Sequence, residues 1–273
     1  MKIKLNENER VDDLEFKGYK IIQDTEGFCF GIDSVLLSDF AQNIKNNSKV
    51  VDLGTGTGII SILLAGKTNA KEIIGVEIQK DVAEMAERSV KLNNLENKIK
   101  ILNENIINLN NYFEKQSIDV IVTNPPYKKI NTGIKNNNKK KLISRHELTA
   151  NLEDFIKISK DLLKDKGEFY MVHRAERLVD IIYLMRKYKI EPKQIKFISP
   201  KVSKEPNLVL IKGIKNAKDF LKFDNILYVY NEDGSYTDEI LKIYGKLLPT
   251  KPGTDGNKNN LLRKDWIWKE YYI

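Results

Sequence analysis

The sequence is poor in residues that make covalent or metal staples. Cys29 is the single cysteine among 273 residues, so no disulfide can close within the chain. Set between Phe28 and Phe30, it reads as a small apolar residue rather than a nucleophile. With only two histidines, His146 and His173, there is no Cys/His cluster for a metal, and both histidines read as structural. No apolar run is long enough to span a bilayer, no basic-then-apolar leader opens the sequence, and no internal repeat is present. The expectation is a cytoplasmic protein in a reducing compartment, with neither membrane nor metal as partner.

Acidic residues are in deficit, 38 Asp and Glu against 46 Lys and Arg, for a net charge of +8. Such a surplus favours a polyanionic partner through phosphate contacts and counterion release. It equally fits a lysine-rich solvated surface. The length allows one large domain, or one with an appendage, around a sizeable core.

The pattern that is present begins with a strand-like stretch from Phe16 to Gln23. Asp33 then reads as the cap of a helix whose Val35, Leu36, Leu37 and Phe40 share one face. From Lys49 strands and helices alternate. Lys49 to Asp52, Glu72 to Glu77, Lys100 to Asn103 and Ile118 to Asn124 read as strands, with helices at Ile59 to Lys67 and Lys80 to Leu95. A helix from Leu152 to Leu163, a strand from Glu168 to Val172 and a helix from Arg177 to Tyr188 follow. Strands at Ile195 to Ser199 and Leu208 to Lys212 come last, with no helix between them. This predicts an α/β fold, a doubly wound Rossmann-like sheet that is mostly parallel with an antiparallel edge hairpin. The expected division is an extension over residues 1–48, a main domain over 49–248 and a tail over 249–273. Lys128 to Lys141, with six lysines and no acid, reads as a loop. Lys251 to Lys258 reads as a linker before an aromatic tail carrying Trp266, Trp268, Tyr271 and Tyr272.

The segment Val50-Val51-Asp52-Leu53-Gly54-Thr55-Gly56-Thr57-Gly58 follows a buried strand and opens a helix. Glycines at 54, 56 and 58 let the backbone turn sharply and let a ligand approach, and the helix N-terminus offers N–H groups. The dinucleotide pattern G-x-G-x-x-G is not matched. Asp52 is awkward for a pyrophosphate but suits a ligand bearing an ammonium group, such as the methionine end of S-adenosylmethionine. Glu77, at the end of the second main strand and followed by Ile78, can accept both hydroxyls of a ribose. Candidate cofactor contacts are therefore Asp52, Gly54, Thr55, Gly56, Gly58, Glu77 and Ile78.

The most specific motif is Asn124-Pro125-Pro126-Tyr127, at the end of the fourth main strand. Both prolines lack an N–H and fix φ. The Asn124 side-chain oxygen and the Pro125 carbonyl can accept the two hydrogens of an amino group, which frees its lone pair for attack on a methyl. Tyr127 can stack on the ring bearing that amine, a contact worth roughly 1–3 kcal/mol. No strong base is needed, because the proton can leave after transfer, and positioning dominates. Phe28 reads as packing, while Phe30 and Asp33 stay open between packing and a lid over the cofactor.

At these residues the sequence resembles the class I S-adenosylmethionine-dependent methyltransferases and, within them, the tRNA(Val) adenine-N6 methyltransferase family. The resemblance runs from about Leu14 to Gly245. It rests on Phe30-Gly31-Ile32-Asp33-Ser34-Val35-Leu36-Leu37, the glycine loop, Glu77, Asn124-Pro125-Pro126-Tyr127, Arg145-His146-Glu147, Glu205-Pro206-Asn207 and the stretch from Tyr228 to Tyr244. It implies S-adenosylmethionine as cofactor, contacts at Gly54, Gly56, Glu77 and Asn124, and catalysis by the Asn-Pro-Pro-Tyr box. The implied partner is tRNA, with an adenine next to the anticodon methylated at N6. Asn105 stands where relatives usually carry an acid against the cofactor's adenine. Three other readings stay open here: ribosomal-RNA amino-methylation, glutamine methylation of a protein, and an RNA-binding protein on a methyltransferase scaffold. For an RNA, the target base has to leave its stack, and the basic loop is a candidate backbone clamp.

Overall fold

The computed structural model describes residues 3–25, 31–127 and 150–246. Phe28, Cys29, Phe30, the lysine-rich segment 128–141, Arg145, His146, Glu147 and the tail from Lys251 lie outside the described residues.

The centre of the molecule is a run of short Val- and Ile-rich strands. They are β3 (Lys49–Leu53), β4 (Glu72–Glu77), β5 (Ile99–Asn103) and β6 (Ile118–Thr123), all parallel. Helices α2 (Ile59–Lys67) and α3 (Lys80–Leu92) make the crossovers among the first three. Successive strand residues point to opposite faces. Val50, Val120 and Val122 accordingly join the apolar cluster beneath α2, whereas Val51 and Ile121 join a second cluster on the other face. Strands buried on both faces read as continuous apolar runs, which is why these four were legible.

The second face is covered by α4 (Leu152–Leu162) and α5 (Leu178–Lys187), through Phe155, Ile156, Ile181 and Met185. Between these helices runs β7 (Leu163–Arg174), longer than the sequence pattern suggested. β8 (Ile190–Ser199) and β9 (Leu208–Lys215) form the expected antiparallel pair, with β9 inserted between β7 and β8. The strand order is β5-β4-β3-β6-β7-β9-β8. Two-residue strands β10 (Lys222–Phe223) and β11 (Leu227–Tyr228) also pair with β8. They are too short to carry an alternation that a sequence reading could find.

Before β3, strand β1 (Glu9–Asp13) pairs antiparallel with β2 (Lys20–Asp24). β1 reads Glu-Arg-Val-Asp-Asp and gave no apolar signal; its order comes from its partner strand and from Glu9, which takes two hydrogen bonds from the Arg88 guanidinium. Ile21 and Ile22 of β2 are fully buried, and the Ile22 N–H donates to Ser89 Oγ of α3 at 2.9 Å. Helix α1 (Ile32–Phe40) packs Val35, Leu36 and Leu37 into the same cluster as β3 and α2. Helix α6 (Asp238–Ile243) closes that cluster with Ile240, beside Tyr230, Tyr236 and Tyr244.

Candidate active site

β3 and β6 are neighbours in register, Leu53 opposite Thr123, and the Thr123 hydroxyl donates to the Leu53 carbonyl at 2.9 Å. The chain therefore leaves β3 into the glycine loop and leaves β6 into Asn124 side by side. Strand order reverses at this point, with β4 and β5 on one side and β6 and β7 on the other. In open α/β sheets such a switch point opens a crevice at the carboxyl ends of the strands.

On the β3 side, Gly54, Gly56 and Gly58 have φ of +72°, +57° and +93°, a region that side chains rarely tolerate. The Gly54 and Thr55 N–H groups both donate to the Val76 carbonyl at 2.9 Å. The Gly56 N–H donates to Glu77 Oε2 at 3.0 Å, and the Gln79 N–H to Glu77 Oε1 at 2.9 Å. The loop is thus folded over the end of β4 and locked there by Glu77. Burial pushes the Glu77 carboxyl up, against the pull of its backbone donors. Ile78, half-buried, follows at the same edge.

Asp52 has no exposed surface and lies beneath the loop, out of direct contact with the crevice. Its Oδ2 accepts the Thr55 hydroxyl at 2.6 Å and the Ser61 hydroxyl at 3.0 Å, while Oδ1 has no hydrogen-bond partner among the described residues. Burial pushes this carboxyl up to about 6, though the two hydroxyls oppose the shift. A Cβ built at Gly56 meets nothing within 4 Å, so the loop is open there. An open glycine turn, a ribose-type carboxylate at Glu77 and an unpartnered buried carboxylate oxygen fit a ligand with a ribose and an ammonium group. At the end of β5, Asn105 Oδ1 accepts from the Ile107 N–H at 3.1 Å, capping the 3-10 turn Ile106–Asn111. An amide oxygen has two lone pairs, so this cap leaves one for an adenine amine. The neighbouring Glu104 is drawn away to Tyr112 and Asn108.

On the β6 side, Pro125 is buried and Pro126 exposed. Asn124 is not free-standing. Its Nδ2 donates to Asp33 Oδ2 at 3.0 Å and to Ser34 Oγ at 3.2 Å. The Tyr127 hydroxyl lies 2.7 Å from Asp33 Oδ2 and 2.8 Å from Asn124 Oδ1. The expectation that Asp33 caps α1 is corrected here. The N-cap is Gly31, with no side-chain cap bond, and Asp33 sits in the first turn with its carboxylate turned to the Asn-Pro-Pro-Tyr box. Gly31 makes room for that turn, since a Cβ there would meet Asp33 Oδ1 at 2.8 Å. Ser34 was missed because a small polar residue in an apolar helix carries no signal of its own. His173, at the end of β7, backs the Tyr127 ring at a centroid distance of 5.0 Å. Burial holds its imidazole down at about 4, so it is neutral at physiological pH, and Nδ1 accepts the Arg174 N–H. No cluster of three or more His, Cys, Asp or Glu among the described residues could hold a metal. No helix among the described residues is long and apolar enough to cross a membrane.

Comparison with known proteins agrees with this geometry. The family model for the methyltransferase small domain matches residues 32–188. A tRNA1(Val) (adenine(37)-N6)-methyltransferase of Porphyromonas gingivalis is 27% identical over 240 residues, covering 85% of this chain and 93% of its own. The protein of the same name from Histophilus somni is 32% identical over 164 residues, covering 60% of this chain and 68% of its own. Among solved structures, a predicted O-methyltransferase of Agrobacterium tumefaciens aligns over 78% of this chain and 96% of its own at a TM-score of 0.63 and 18% identity. A tRNA m1G37 methyltransferase of M. jannaschii aligns over 79% and 59% at 0.52 and 17%; at these identities both show the fold alone. With the family model matching from α1 through α5, the chain belongs to the methyltransferase small domain family, where it stands beside proteins named tRNA1(Val) (adenine(37)-N6)-methyltransferase.

Proposed function

We propose that this methyltransferase methylates the N6 amine of an adenine in tRNA, next to the anticodon of tRNA(Val), with S-adenosylmethionine as donor. The observation that carries the reading is the register of β3 with β6, which sets the glycine loop beside an acceptor-rich Asn-Pro-Pro-Tyr box. The names borne by the relatives supply the nucleotide and the RNA.

The bound donor supplies an electrophilic methyl on a sulfonium. Gly54, Thr55, Gly56 and Gly58 shape the turn that would hold it, and Glu77, which ties the loop down, would accept its ribose hydroxyls. Asp52 would balance its ammonium charge through the loop rather than by contact, Asn105 would accept from its adenine, and Ile78 would line the same edge. Asn124 Oδ1 and the Pro125 carbonyl accept the hydrogens of the target amine, which holds its lone pair toward the crevice. Pro126 fixes the turn, and Tyr127, backed by His173, walls the base side. Positioning of this kind is worth roughly 7–11 kcal/mol in favourable model systems. A net charge of +8 supports a phosphate-rich substrate.

The test is transfer of labelled methyl from S-adenosylmethionine into tRNA, rRNA and protein assayed separately, followed by nucleoside analysis. N6-methyladenosine in tRNA(Val) is expected. Label confined to rRNA or to protein overturns the substrate, and no label in any pool overturns the reading.

A further inference from the structure

The Asn-Pro-Pro-Tyr box is gripped by a carboxylate from far away in the chain. Asp33 Oδ2 faces Asn124 Nδ2 at 3.0 Å and the Tyr127 hydroxyl at 2.7 Å, across sequence separations of 91 and 94 residues. Asp33 Oδ1 is itself fixed by the Ser34 N–H at 2.9 Å, and the residue is 9% exposed. So one oxygen is anchored on helix α1 and the other is presented to the box.

An amide side chain has two orientations that fill the same space, and only its neighbours select one. A carboxylate accepts and cannot donate. Turning the Asn124 amide over would set its oxygen against Asp33 Oδ2, a repulsive contact, so Asp33 forces the NH2 toward α1. The amide oxygen then faces the other way, where an acceptor is required. The Tyr127 hydroxyl strengthens this selection. It has one proton and lies within reach of two acceptors, Asp33 Oδ2 and Asn124 Oδ1. A hydrogen bond to an ionised acceptor is roughly twice as strong as a neutral one, so the hydroxyl proton, shared between the two, leans to Asp33. Asn124 Oδ1 has two lone pairs, so one is left to accept from the target amine.

We propose that Asp33, supported by Ser34, is the positioning residue of this active site: it sets the orientation of the Asn124 amide and takes the larger share of the Tyr127 hydroxyl's hydrogen bond, leaving a lone pair of Asn124 Oδ1 as the acceptor for the substrate amine. This rests on the amine-methylating reading of the box. Asp33 touches neither substrate nor cofactor in this scheme.

The decisive variant is Asp33→Asn, which keeps the shape and removes the selection, since an amide at 33 can face Asn124 in either sense. It is assayed with S-adenosylmethionine and tRNA lacking the modification. The expected result is a fall in kcat of about 100-fold, the low end of the range seen when one transition-state hydrogen bond is lost. The cofactor Kd and the tRNA KM should stay within about threefold, the split that marks a loss confined to the transition state. Tyr127→Phe supplies the second arm. If Asp33 acts on the amide directly, Asp33→Asn still lowers kcat when combined with Tyr127→Phe; disappearance of the effect in that double variant overturns the amide assignment. Gly31→Ala moves the Asp33 carboxylate without removing its charge and should lower kcat by about three- to tenfold, which keeps the idea testable if Asp33→Asn does not fold.

A readout independent of turnover is the side-chain amide of Asn124 in nitrogen-15 NMR, identified by its loss in Asn124→Ala. Its protons should exchange slowly in the wild type and lose that protection in Asp33→Asn. Unchanged amide signals together with an unchanged kcat overturn the proposal, as does a parallel loss of kcat, cofactor affinity and Tm, which marks packing alone. If the wild type labels no tRNA, the functional reading has failed, and the amide signals still decide the positioning role.

Discussion

The two halves of the crevice are built in opposite ways. The half over β3 and β4 is local. Asp52 is held by Thr55 and Ser61, three and nine residues on, and Glu77 closes on Gly56 from 21 residues away. The half over β6 is assembled across the chain, with Asn124 and Tyr127 held by a carboxylate more than 90 residues earlier. A site whose parts neighbour each other in sequence forms with its own strand and turn. A site held by a distant helix forms only once that helix has docked. The cofactor half should therefore tolerate damage to α1, and the catalytic half should not.

Substitutions at the centre of each half give the sharpest break. Asn124→Ala should lower kcat by about a thousandfold, the upper range for losing one preorganised hydrogen-bonding group, with the cofactor Kd moving less than about threefold. Glu77→Ala should do the reverse. It removes the acceptor for the Gly56 and Gln79 N–H groups and the proposed ribose contact, so the cofactor Kd should rise by about 30- to 100-fold at a cost of roughly 2–3 kcal/mol. At saturating cofactor its kcat should recover most of its value. Calorimetric binding and single-turnover rates decide both, and matched losses in either variant would dissolve the contrast.

The same difference explains what the sequence made readable. The buried parallel strands were visible because both their faces are apolar, Gly54, Gly56 and Gly58 because their motif is contiguous, and Glu77 because it ends an apolar strand. The box at 124–127 was visible as chemistry, but its partners were not. Asp33 read as a helix cap, since Asp near a helix start usually is one, with its role left open between packing and a lid over the cofactor. Its bonds to Asn124 and Tyr127 turn it elsewhere, and the Gly31 backbone leaves room for that. β1 was missed because a charged strand that pairs on one edge needs no alternation. The network of Tyr230, Tyr236 and Tyr244 over α6 was readable as aromatic residues but not as a cluster, because that depends on β11 joining β8.

A pH series probes the cofactor half by itself. Burial raises the Asp52 carboxyl from 3.8 to about 6, so the folded protein binds a proton there that the unfolded chain has released. At about 1.4 kcal/mol per pH unit, the unliganded protein should lose up to about 3 kcal/mol of stability as the pH rises from about 4 to about 6. Cofactor binding should follow the opposite course. A ligand ammonium favours the ionised carboxylate, so affinity should rise across that window and level off above it. Asp52→Asn should flatten both slopes. Thermal melts and calorimetry across pH measure them, and an Asp52→Asn variant that keeps the wild-type slopes would remove Asp52 from the scheme.

The smallest effects come from two glycines that play the same part in the two halves. Gly75 lies in β4 beneath the loop, and a Cβ there would come within 2.9 Å of Thr55 Cγ2 and Oγ1 and 3.0 Å of Ile101 Cδ1. Thr55 is the residue that donates to Asp52, so Gly75→Ala should displace that hydroxyl and cost about 1–3 kcal/mol of stability by overpacking. Its effect on function should be a rise in cofactor Kd of about three- to tenfold with kcat retained at saturation. Gly31→Ala, crowding Asp33 instead, should leave the Kd in place and lower kcat by a similar factor. Each glycine thus makes room for one side chain that orients another, and each belongs to one half only. If Gly75→Ala lowered kcat at saturating cofactor as much as it weakened binding, the two halves would be mechanically coupled through β3 and β6, and the division drawn from their hydrogen bonds would fail.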